Sequence, residues 1–330
     1  MSKSFKFLFI CFIALQTLAS IQCDHSKSKL ITSEFYLKPP AQMGSINCNL
    51  VEKTHLLVDD ISSIFGESPE IYLFLDESSY AASFDQGHIL NVPQRFFRKS
   101  KKGKLHIKTG DEILPIIAHE YGHAIFTKKL SDNLPLLKPI IFRRAQISSK
   151  LRDVKQILED VKNPNLTGQQ RKLRLAQVQV KSKEISEIKK TFQSREIVQK
   201  VIKVIGPYHE LFADIVSVYY YDDLEIMKET LSHPEYSESE NNLVLRRSFS
   251  SHEHEIDEND LHGILGAVRS HIGQYYMPSN NNEKKLFLNT IFSAIKSEVR
   301  FQLNPLNSPL SSEKLNSRLI NKIDTEFLKL

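Results

Sequence analysis

Ile113-Leu114-Pro115-Ile116-Ile117-Ala118-His119-Glu120-Tyr121-Gly122-His123-Ala124-Ile125-Phe126 decides the reading of this chain. The run is apolar apart from His-Glu-x-x-His at its centre. A helix turns about 100° per residue, so His119 and His123 stand one turn apart on one face. Two imidazoles at that spacing can bind one zinc ion, and Glu120 between them can act as general base. Asp111 is placed to cap the first amides of this helix, with Pro115 in its first turn. Ala118, Gly122 and Ala124 leave room for close neighbours.

A second constellation lies downstream in Glu210-Leu211-Phe212-Ala213-Asp214. Glu210 and Asp214 are four apart, so on a helix they share a face. Leu211, Phe212, Ile215, Val216 and Val218 leave that helix little polar surface, which argues against solvated carboxylates. A catalytic zinc takes three protein ligands and keeps one position for water. His119, His123 and Glu210 supply three. A zinc-bound imidazole donates its other N–H to a carboxylate or carbonyl, and Asp214 is placed to receive it from His119. His209, turned about 100° from Glu210, is not expected as a fourth ligand.

HExxH followed by a helix carrying ExxxD resembles the gluzincin zinc metallopeptidases. The form Glu-x-x-Ala-Asp is most similar to the HtpX-like and CAAX-prenyl-protease-like families and to their soluble relatives, the minigluzincins. The 86 residues between His123 and Glu210 fit these families better than the thermolysin group, whose interval is much shorter. The resemblance covers roughly residues 71–225. It implies one zinc ion per chain and a small sheet beside the HExxH helix, whose edge strand holds an extended polypeptide substrate by strand addition. Residues 88–92 are the candidate edge. It also implies peptide hydrolysis: zinc activates a water, and Glu120 takes its proton and passes it to the leaving amine. A donor opposite the zinc follows the third ligand in such enzymes. His262, Arg269 and His271 are candidates here, with His262 and Arg269 favoured. The chain lacks the membrane spans of the HtpX-like pattern.

The rest of the sequence frames this core. The 330 residues are 41% hydrophobic and 25% charged, with few glycines and no Trp, which predicts a mostly helical protein; with the strands read below and the small sheet the resemblance implies, the expected fold class is α+β. Residues 1–22 read as an export signal: Lys3 and Lys6, then the apolar stretch Phe7 to Leu15, then Ala19 and Ser20 for cleavage. Without Lys3 and Lys6 the net charge of +5 falls to about +3, too little to argue for nucleic acid. The expected location is periplasmic or secreted, either free or tethered by a lipid on Cys23. Cys23 and Cys48 can instead form a disulfide. No later segment has the run of about 18 apolar residues of a membrane helix.

Residues 23–48 read as a linker and 49–230 as the metallopeptidase core. Within that core, residues 50–65 predict a helix ending at Gly66, with strands at 71–75, 88–92 and 104–108. Residues 143–205 form an inserted helical hairpin, either a solvated pair with one buried stripe or an arm for a protein partner. Gly206-Pro207 opens the ExxxD helix, which runs to about Met227. Residues 232–262 read as an acidic loop whose His252-Glu253-His254-Glu255 is solvated charge. Residues 231–330 add helices that complete the core. Asn165-Leu166-Thr167 matches the glycosylation pattern. Two rival readings keep the zinc and drop the protease: a zinc-stabilised scaffold, and an envelope quality-control factor that binds misfolded chains with little cleavage.

Overall fold

The computed structural model describes residues 31–36, 48–76, 82–85, 87–93, 110–191, 195–232, 244–250 and 260–330. The export signal, Cys23, the 104–108 strand and the 252–255 group lie outside them. The fold is α+β and mostly helical, as expected. Its strands are β1 (Ile31–Tyr36), β2 (Ile71–Asp76), β3 (Ser83–Phe84) and β4 (Ile89–Pro93). They form one mixed sheet in the order β1-β2-β4-β3, with β3 the antiparallel member.

This order corrects two expectations. Residues 31–36, read as part of a linker, form a strand of the sheet paired parallel to β2. The strand at 88–92 is not the edge, because the two residues of β3 pair outside it, Ser83 with Asn91 and Phe84 with Leu90. Asp85 fixes the tight connection, its Oδ1 accepting from the amides of Gly87 and Ile89 at 2.9 and 3.0 Å.

Nine helices are described: α1 (Cys48–Phe65), α2 (Leu114–Asn133), α3 (Lys138–Val161), α4 (Gly168–Lys190), α5 (Arg195–Tyr221), α6 (Ile226–Leu231), α7 (Gly266–Tyr275), α8 (Asn281–Leu303) and α9 (Ser312–Phe327). Helix α1 stops where expected, at Gly66 with φ 68°, a conformation glycine adopts without steric penalty. The HExxH helix α2 is the central element. It is buried on every side along Ile117–Thr127, as a helix apolar all round must be. It packs against α1, α3, α5, α6 and β3.

Asp111 does not cap α2. Residues Gly110–Ile113 form a 3-10 turn, the N-cap residue is Ile113, and Asp111 instead pairs with Lys53 at 2.5 Å.

Gly206-Pro207 does not open a helix either. Helix α5 begins at Arg195 and runs through Pro207. Proline removes one helical hydrogen bond and crowds the preceding turn. Burial of Val201 and Ile205 before it, and of Tyr208, Leu211 and Phe212 after it, holds the helix together regardless. The hairpin is therefore α3 and α4, residues 138–190, while 195–205 are the first turns of α5. Thr167 starts α4 with a reciprocal capping box to Gln170. Ile157 and Ile185 form its buried stripe, and Leu151, Leu173 and Val180 are exposed. Helix α5 ends at Tyr221 rather than near Met227, with Asp222 at φ 53°. The C-terminal helices arise as predicted: Ile291, Ile295 and Val299 of α8 and Leu315, Leu319 and Ile323 of α9 enter the common core.

Candidate metal centre

The site is built where α2 and α5 touch. A Cβ on Gly122 would stand 2.8 Å from the Cα of Ala213 and 3.1 Å from its carbonyl oxygen. Glycine on one helix and alanine on the other thus let the backbones meet, which brings ExxxD onto HExxH. Ser217 reinforces the contact, its Oγ donating to the carbonyl of Pro115 at 3.1 Å.

His119, Glu120 and His123 are buried, and their ligand atoms lie within 4.8 Å of one another; among the described residues this group could hold a metal ion. Glu210 reaches the same point from α5. Its Oε2 is 3.4 Å from His119 Nε2, and its Oε1 is 3.7 Å from His123 Nε2. Glu210 Oε2 is buried between His119 Nε2 at 3.4 Å and His262 Nε2 at 3.0 Å, neither aligned as a formed hydrogen bond. A buried carboxylate oxygen facing imidazole nitrogens without a formed hydrogen bond suits a cation, since such an oxygen is otherwise poorly satisfied. The donor set of two imidazoles and one carboxylate fits a divalent transition metal.

Asp214 lies where the sequence reading put it, with Oδ1 2.9 Å from His119 Nδ1. It is fully buried and has two further partners. Arg269 Nε donates to Oδ2 at 2.9 Å, and Arg247 pairs with Oδ1. Arg269 is thereby corrected as a candidate donor to substrate. Its side chain has no exposed surface, faces Asp214, and donates from Nη1 to the carbonyl of His262 at 2.6 Å. His271 is also removed from the site, 2.6 Å from Asp324.

His262 remains at the centre. It does not share a helix with Arg269, because α7 begins only at Gly266 and His262 lies in the preceding turn. Its Nε2 is 3.0 Å from Glu210 Oε2, and the ring is 42% exposed, so one side of the centre opens to solvent at this residue.

Two groups at the site were not anticipated. Arg247 belongs to residues 244–250, inside the stretch read as an acidic loop. Its Nη2 is 3.0 and 3.2 Å from the two ring nitrogens of His119. His209 is buried with its Nδ1 2.5 Å from His123 Nδ1 and its Nε2 3.0 Å from Thr127 Oγ1. His209 thus meets His123 on Nδ1, the ring nitrogen opposite the one that faces Glu210. No local pattern marks Arg247. His209 was open to inference, because an imidazole on a buried helix needs a polar partner.

Electrostatics follow from burial and these pairings. Burial raises the Glu120 carboxyl to about 7, against the lowering effect of His119 and of an N–H from the Phe84 backbone. Burial and Arg247 oppose a charge on His119, but its pairing with the Asp214 and Glu210 carboxylates prevails and raises it to about 9. Burial holds His123 well below its usual value and His209 down to about 4. Glu210 is held far below the carboxylate range: burial opposes its charge, and the surrounding histidines, His123 first, overcome that. Asp214 is likewise depressed, its two arginines outweighing its burial.

Beyond Ala124 and Thr127 a cavity of about 590 Å³ lies between α2, α3 and the β3–β4 turn, walled in part by Tyr72, Ile89, Ile141 and Phe142. No family model, curated protein or solved structure matches this chain, so the gluzincin resemblance rests on the motif residues alone.

Proposed function

We propose that this chain is a zinc-dependent endopeptidase of the gluzincin type, exported by its N-terminal segment. The observation that carries the reading is the convergence of His119, His123 and Glu210, from two motifs with 86 residues between them, around the buried Glu120. Zinc held by those three residues would supply Lewis acidity, lowering the pKa of a coordinated water and polarising a peptide carbonyl.

Glu120 then has the general-base role. Its buried carboxyl, poised near neutrality, accepts the proton of the attacking water and returns it to the leaving amine. Strand β3 packs against the HExxH helix, so the edge strand runs beside the helix that carries Glu120. An extended peptide laid along β3 would extend the sheet and present its backbone to Glu120. His262, half-exposed at the open side, is the donor best placed for the oxyanion. The apolar cavity past Ala124 suits a bulky apolar substrate side chain.

The position of His262 also supports a second reading, a structural zinc closed by a fourth protein ligand. The test is zinc stoichiometry on the purified chain, with a general casein-cleavage assay with and without chelator. One zinc and chelator-sensitive cleavage support the peptidase. One zinc with four protein ligands and no cleavage supports the scaffold.

A further inference from the structure

We propose that His209 and Thr127 form a positioning chain that fixes which nitrogen of His123 faces the metal. The inference rests on the metal-site reading above and adds two residues to it. His123 Nδ1 and His209 Nδ1 are 2.5 Å apart, and His209 Nε2 is 3.0 Å from Thr127 Oγ1. All three side chains are buried, so a missing hydrogen-bond partner is costly there. The ring of His209 is held in place: its centroid is 4.6 Å from that of His123, and Phe126 meets it edge-on at 5.0 Å.

Proton bookkeeping gives the chain its direction. Two nitrogens this close share one proton, because two protons would collide and two bare lone pairs would repel. His123 Nε2 faces Glu210, and it can bind a metal only when it carries no proton. A neutral His123 then carries its proton on Nδ1 and donates it to His209 Nδ1. His209, neutral and accepting at Nδ1, carries its own proton on Nε2 and donates to Thr127 Oγ1. The reverse arrangement puts the proton of His123 on Nε2 and blocks the metal. His119 has an anionic partner in Asp214 for the same task, and His123 has a neutral one.

The experiment is a zinc titration of the metal-stripped full chain against a chromophoric chelator, for wild type and three variants. His209→Phe removes the acceptor and should weaken zinc binding roughly 10–100-fold, the usual effect of losing such a partner. His209→Asn places an amide oxygen near the position of Nδ1 and should restore most of the affinity. Thr127→Val, nearly isosteric, should weaken it by a smaller factor. Nitrogen-15 NMR of the imidazoles should show the Nδ1–H form of His123 in zinc-bound wild type. A purely structural role predicts similar losses for Phe and Asn, tracking the unfolding midpoint of the metal-free protein. Equal zinc affinity in folded His209→Phe and wild type overturns the chain while leaving the peptidase reading intact. If His209→Phe does not fold, unchanged affinity in Thr127→Val together with an Nε2–H form of His123 overturns it. Absence of zinc binding by wild type overturns the metal reading itself.

Discussion

Arg269 Nε donates to Asp214 Oδ2 at 2.9 Å across 55 residues of sequence, and neither side chain has any exposed surface. A buried charge without its partner is costly, commonly about 3–5 kcal/mol. Asp214→Ala would leave both Arg269 and Arg247 uncompensated. It should destabilise the metal-free protein by about that amount and weaken zinc binding roughly 10–100-fold through loss of the His119 partner. Urea unfolding in chelator and a metal titration measure the two effects separately. Unchanged stability and affinity together would remove Asp214 from any role in the centre.

Gly122 should tolerate no side chain. A methyl group there meets backbone at 2.8 Å, so Gly122→Ala must push α5 away from α2. Overpacking of this kind costs about 1–3 kcal/mol. The larger consequence is functional, because displacement of α5 carries Glu210 away from both histidines. Zinc affinity should therefore fall by more than the change in stability alone accounts for. Wild-type affinity in a folded Gly122→Ala protein would contradict this account of how the site is assembled.

Alkaline pH should unfold the protein through its buried tyrosines. Burial raises Tyr121, Tyr208 and Tyr219 above the unfolded value of about 10. Above that pH the unfolded chain releases phenolic protons that the folded chain keeps. Their contribution to stability is complete below pH ~10 and is lost as pH rises beyond it. Tyr219 also donates to the carbonyl of Tyr276 at 2.7 Å, so Tyr219→Phe should cost about 0.5–1.5 kcal/mol at neutral pH and flatten the alkaline slope. Urea unfolding at pH 8, 10 and 11 reads both effects. An unchanged alkaline slope in Tyr219→Phe would contradict the assignment.

The centre was legible where chemistry is local. His119, Glu120 and His123 are fixed by helical spacing, and Glu210 and Asp214 by two carboxylates on an apolar helix. Their meeting was legible only in part: Gly122 signals close approach, but nothing in the sequence names Ala213 as the neighbour. Arg247 was illegible because its burial depends on where residues 244–250 pack. Gly273 permits that packing, since a Cβ there would meet the carbonyl carbon of Phe249 at 2.9 Å. Pro207 misled for a related reason. Its local preference is for a helix start, and buried residues on both sides override it. The true edge was illegible because a two-residue strand such as β3 leaves no periodic pattern to read.

The most direct test of the central claim is the Glu120→Gln protein, compared with wild type for zinc content and for cleavage of unfolded casein. Gln keeps the shape of Glu120 but cannot take a proton from water. The account predicts one zinc per chain in both proteins, with cleavage in wild type and none detectable in the variant. Equal cleavage by the two proteins would contradict it.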